Sequence, residues 1–147
     1  MDPVTHFWIT RKLVGKEWKF IVLGLAPDLP FYLFYPYQVV SGRKLREGFQ
    51  HDEWPKPPVW LYTTHNIFHS LPLATSLLLL QKIALKRGAR LGFMAWILHI
   101  LIDIPTHSRQ KWAPQFLWPF SRFTVDGISW TDYFFPLLWK IYRRIRS

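Results

Sequence analysis

The sequence contains no cysteine. That excludes a disulfide framework, a thiolate metal site and a cysteine nucleophile, and it leaves the redox compartment open. Acid is scarce, with nine Asp and Glu against 19 Lys and Arg for a formal charge of +10. Long apolar runs are missing too. A spanning helix needs about 20 predominantly apolar residues. The run 20–34 is interrupted by Pro27, Asp28 and Pro30, and the run 67–80 begins beside His69. The run 91–104 contains His99 and Asp103, and the run 133–141 is short. Alternating strand patterns closed by hairpin dipeptides are nearly absent, Asp126-Gly127 being the one such dipeptide. There is no internal repeat and no low-complexity tract.

What is present is grease and positive charge. The 147 residues are 50% hydrophobic and 18% aromatic, with nine Trp and twelve Phe. Disordered chains are poor in aromatics, so disorder does not describe this one. The length predicts a single domain over 1–147. Lys and Arg flank nearly every apolar run, and the first is basic at both ends, so the one-sided charge that orients a spanning protein is lacking. The expectation is a membrane-associated bundle lying on or partly in a bilayer, its cations meeting anionic headgroups and its Trp and Tyr the interface. A soluble bundle with a solvated basic surface is the alternative. Residues 16–26 imitate a signal peptide, but the apolar core is very short and Pro27 would follow the cut, so no cleavage is expected. No nucleic-acid-binding motif is present and the cations are scattered, so nucleic acid is not an expected partner.

The periodicity predicts an all-α fold, a compact helical bundle of about five helices. Asp2-Pro3 reads as a start signal for a helix over 4–23. A second is expected over about 28–40. Residues 41–58, with Ser41-Gly42 and Pro55, Pro57 and Pro58, read as a loop. A third helix covers about 59–86 with Pro72 as a kink or boundary, and a fourth about 90–104, bending or ending at Pro105. Residues 108–129 are expected to be irregular and 130–145 to form a last short helix.

Polar residues inside the apolar segments carry the chemistry. Asp28 lies in a stretch with no Lys or Arg between Lys19 and Arg43. A buried carboxylate costs several kcal/mol unless paired. Either Asp28 caps a helix beginning at Pro30, or its partner comes from elsewhere in the fold, a metal included. His99 and Asp103 are four apart in an otherwise aliphatic helix, so both side chains can reach one ion, or they form a hydrogen-bonded pair. His107 is four further on. His65 and His69 repeat the spacing, a common way to hold a transition metal. His6 on its own suggests little. Five of the six histidines and two of the nine acids nevertheless sit in or beside the most apolar segments. Several imidazoles buried together need a common partner. Without cysteine, a His/Asp site suits zinc, and also manganese or iron. Seven candidates exceed one tetrahedral site, so some orient the ligands, or two ions share the cluster. His51-Asp52-Glu53, beside Trp54 and three prolines, reads as solvated loop. The cations at 143, 144 and 146 read as a solvated tail or a headgroup contact.

Met1-Asp-Pro-Val-Thr-His6-Phe, then Leu25-Ala-Pro-Asp28-Leu-Pro, then His69-Ser70, then His99-x3-Asp103-x3-His107, resemble the membrane-bound metal-dependent hydrolases of bacteria and archaea. That family is distantly similar to zinc-dependent phospholipase C, an all-helical fold with a cluster of zinc ions. The resemblance covers residues 1 to about 130, with Trp118-Pro119-Phe120 and Gly127-Ile128-Ser129-Trp130 included. It implies metal ligands at His6, Asp28, His69, His99, Asp103 and His107. The His-x3-Glu motif with which a phospholipase C holds one zinc is absent.

The expected function is a metal-dependent hydrolase of phosphoesters, with zinc as first choice of ion. His65 or His107 would act as general base or orient the ligands, and Asp28 or Asp103 could bridge two ions. An anionic membrane surface or the phosphoester itself is the expected partner. The alternative is a non-catalytic membrane-associated protein with a structural His/Asp cluster.

Overall fold

A computed structural model describes residues 3–40, 58–84, 87–110 and 112–130, with Asp132 and Arg144. The fold is an all-α bundle: α1 (Pro3–Leu13), α2 (Trp18–Leu25), a 3-10 turn (Ala26–Asp28), α3 (Leu29–Val40), α4 (Val59–Phe68), α5 (Leu71–Ala84) and α6 (Arg87–Thr106). No strand occurs among the described residues. The expected helix over 130–145 and the loop 41–57, with its His51-Asp52-Glu53, lie outside them.

Where the sequence suggested one helix over 4–23 there are two. The amides of Val14 and Gly15 both donate to Thr10 O, at 2.9 and 3.2 Å, and close α1. Gly15 then takes φ +155°, open to a residue without Cβ, and the chain turns back so that α2 packs on α1. The expected helix 59–86 is likewise two. It breaks at His69-Ser70, and Pro72 sits in the first turn of α5, where a missing N–H costs nothing. Ser70 caps α5 by accepting from Leu73 N at 3.1 Å, while its own hydroxyl donates to Trp118 O at 2.6 Å. Leu71 N donates to Phe116 O at 2.9 Å, so the break is stitched to the irregular segment.

Helix α6 takes in Pro105 and ends one residue later, at Thr106, close to the expected end. Its last carbonyls find partners outside the helix. Pro105 O accepts from Ile128 N at 2.9 Å, Thr106 O from Trp130 N at 3.0 Å and His107 O from Gly127 N at 2.9 Å. Residues 107–130 thus contain no helix among those described, as expected, yet they are pinned to the end of α6.

The centre of the bundle is α6, with α2 and α5 packed along it. Ala74, Trp96 and Ile100 form an apolar core between α5 and α6, ringed by Phe68, Leu71, Leu77, Phe93, Ile97 and Phe116. The Trp96 indole donates to Phe68 O at 2.5 Å. The inward stripes of the other helices are partly polar. Helix α1 buries His6 and Thr10, and α4 buries Leu61 and His65. Four-residue spacing puts each pair on one face.

No described helix is long and apolar enough to cross a membrane.

Candidate metal centre

Six of the seven histidine and aspartate candidates come together around the middle of α6. The rings of His6 and His99 stack at 3.9 Å, and those of His65 and His69 at 3.6 Å. Each stack has its own carboxylate. His6 Nε2 lies 3.0 Å from Asp103 Oδ1, and His65 Nε2 3.2 Å from Asp28 Oδ1. His6, His65, His69, His99, Asp28 and Asp103 are all buried. Asp28 is in the 3-10 turn; its Oδ1 faces the imidazoles, while its Oδ2 accepts from the Tyr32 hydroxyl at 2.8 Å. Of the two readings of Asp28, the geometry supports a partner from elsewhere in the fold.

Backbone carbonyls set the tautomers of the two central rings. His69 Nδ1 is 3.0 Å from His65 O and His99 Nδ1 is 2.7 Å from Gly24 O. A carbonyl only accepts, so both Nδ1 atoms carry hydrogen, and Nε2 is the atom each ring turns toward a proton or a metal. Those two Nε2 atoms face each other at 3.2 Å. Asp103 Oδ2 lies 3.3 Å from His69 Nε2 and 3.2 Å from His99 Nε2. Asp28 Oδ1 lies 3.4 and 3.7 Å from the same two atoms. Two ring nitrogens and two carboxylate oxygens therefore converge, an arrangement that requires a cation between them, either the proton that His99 carries or a metal.

The spacing fits a metal. Ligand atoms about 2.0–2.1 Å from a tetrahedral zinc lie about 3.3 Å from one another, and the separations here run from 3.2 to 3.7 Å. Two overlapping sets of ligand atoms each fall within 4.8 Å of one another: His6, Asp28, His99 and Asp103, and Asp28, His65 and His69. The buried His/Asp cluster can thus hold a divalent ion, and Asp28 belongs to both sets.

Electrostatics point the same way. Burial opposes ionisation of Asp28 and Asp103, but hydrogen bonds from His65, His69 and His99 to Asp28, and the charge of His99 beside Asp103, hold both well below the usual carboxylate range. Burial also disfavours a charged His99, yet Asp103 and then Asp28 outweigh it and raise His99 to about 9. Burial, with His69 alongside, pushes His65 down to about 3, and burial lowers His6. A charged His99 thus lies between the two carboxylates, and a divalent ion held there would replace its proton.

His107 lies at the rim. Its Nδ1 donates to Asp103 O at 3.0 Å and sits 3.7 Å from Asp103 Oδ1. Its side chain is 13% exposed, and burial pushes it down to about 4. It belongs to neither ligand set. His6 Nδ1 and His65 Nδ1 are buried and find no hydrogen-bond partner among the described residues.

Three contributors escaped sequence reasoning. Tyr32, which holds Asp28 Oδ2, sits four residues after it, and that spacing was a usable signal. Trp112 packs edge-on against His65 at 3.8 Å, His69 at 5.5 Å and His107 at 5.2 Å, and nothing in its irregular segment announces this. The Gly24 carbonyl, which orients His99, has no side-chain signature at all.

No protein-family model matches this chain, and neither the curated proteins nor the solved structures yield a match.

Proposed function

We propose that the protein is a metal-dependent hydrolase of phosphoesters acting at an anionic membrane surface, as its resemblance to the membrane-bound metal-dependent hydrolases implies. The observation that carries this reading is the buried His/Asp cluster, in which His6, Asp28, His99 and Asp103, and Asp28, His65 and His69, each bring ligand atoms within 4.8 Å of one another. His6, Asp28, His65, His69, His99 and Asp103 would hold a divalent ion, zinc first and manganese or iron next, and such an ion would supply Lewis acidity there. The chain's own residues do the rest. The His65 and Gly24 carbonyls fix the His69 and His99 rings, and Tyr32 and His6 hold the outer oxygens of Asp28 and Asp103. His107 is neutral at pH 7, and with Nδ1–H on Asp103 O its basic nitrogen is Nε2. It is the better candidate for taking a proton from the attacking water, because it is nearer solvent than His65.

Metal analysis of protein purified without a nickel column should find at least one zinc, manganese or iron per chain. Hydrolysis of a generic phosphodiester should vanish in the double variant His99→Ala, Asp103→Ala. Activity surviving in that variant would overturn the catalytic assignment, and sub-stoichiometric metal would overturn the metal.

One observation favours a second reading. His6, His69, His99 and Asp103 are each at most 1% exposed, and closed metal sites are structural. A non-catalytic membrane-associated protein stabilised by this cluster would lose melting temperature on chelation and hydrolyse nothing in any screen.

A further inference from the structure

The first two helices expose large apolar side chains on their outer faces. Helix α1 turns His6 and Thr10 inward, and α2 turns Phe20 and Gly24 inward. Two residues away on each helix, about 200° around the axis, the largest apolar side chains face outward. Val4 is 58% exposed and Trp8 59%, Trp18 76% and Val22 52%. Each exposed pair is four apart, so each helix carries an apolar row on its outer face. Leu13, 67% exposed, stands where the helices turn. An ordinary surface helix shows the opposite pattern.

The turn between the two rows is basic. Arg11 and Lys12 end α1, Lys16 follows in the turn, and Lys19 opens α2. Lys12, Lys16 and Lys19 are exposed. Glu17, paired with Lys19 at 2.6 Å, is the one acid among them. Apolar rows with Trp beside a cluster of cations match an anionic bilayer, which offers hydrocarbon to the rows, an interface to the indoles and anionic phosphates to the cations.

We infer that the α1–α2 hairpin is the lipid-docking element of this protein, its outer apolar rows against an anionic bilayer and its basic turn at the headgroups. This rests on the membrane-surface part of the reading above and names the surface. Because His6 projects from the opposite face of α1 to meet Asp103, the docked helix also carries a residue of the cluster.

The test is co-sedimentation of the full-length protein with vesicles of phosphatidylcholine alone and of an equal mixture with phosphatidylglycerol. Wild type should bind the mixture more tightly, and less so at high salt. Trp8→Ser with Trp18→Ser should weaken that binding at least about tenfold, since two large apolar side chains are lost from the contact. Lys12→Glu with Lys16→Glu should erase the preference for the anionic vesicle. Both variants should keep wild-type helicity and metal content, because the changed side chains face away from the cluster. Hairpin variants that bind like wild type would overturn the assignment and leave the membrane reading standing. Wild type that binds neither vesicle would overturn both, and the metal reading would be untouched. Wild type that self-associates without lipid, with the Trp8→Ser, Trp18→Ser variant monomeric, would make a second copy of the chain the occupant.

Discussion

His69 and His99 each donate Nδ1–H to a backbone carbonyl, and their Nε2 atoms are left facing each other and two carboxylates. In the metal-free protein His99 holds a proton up to about pH 9, because Asp103 and Asp28 outweigh the burial that opposes it. An ion must displace that proton. Metal affinity should therefore rise with pH up to about 9 and flatten above it. Calorimetric titrations at pH 7 in two buffers of different ionisation enthalpy should show about one proton released per ion; no buffer dependence would contradict this. Tyr32 holds the outer oxygen of Asp28 at 2.8 Å. Removing its hydroxyl in Tyr32→Phe should cost roughly 10–100-fold in metal affinity, measured by competition with a chromophoric chelator.

At the scale of elements, the break between α4 and α5 and the end of α6 matter most, because both face residues 107–130. Ser70 and Leu71 bind the carbonyls of Trp118 and Phe116, and Pro105, Thr106 and His107 accept from 127–130. Gly127 sits so close to this end of α6 that a Cβ there would run into the Pro105 carbonyl, with His107 O 2.8 Å away. Backbone cannot swing aside as a side chain can. Gly127→Ala should destabilise the protein by about 1–3 kcal/mol, as overpacking does, read from denaturant midpoints. It should also loosen metal binding if His107 and Trp112 depend on this anchorage. Much of the element pattern was legible beforehand: the all-α class, the absence of helix over 108–129, and a boundary at Pro72. The turn at Gly15 was not, because α1 and α2 are both helical in pattern and only their mutual packing reverses the chain.

The whole molecule has a polar centre beside a small apolar core. A chain organised in this way should gain stability from a divalent ion held in the cluster. With free metal at about a thousand times Kd, binding contributes about 4 kcal/mol. At about 2–4 °C per kcal/mol for a chain of this size, chelation should lower the melting temperature by roughly 10 °C. A melting curve indifferent to chelator would argue that protons, not a metal, hold the cluster together.

By itself the sequence determined the helical class and the chemistry available to it. Periodicity is local, and the absence of cysteine confines any metal ligands to nitrogen and oxygen. The i, i+4 spacings of His65 with His69 and His99 with Asp103 were also local, and both pairs do meet. Only the tertiary structure decided that His6 and Asp28, 97 and 37 residues from their partners, join the same cluster. It alone set which nitrogen of the His69 and His99 rings faces the centre, because the deciding acceptors are carbonyls, and every residue has one.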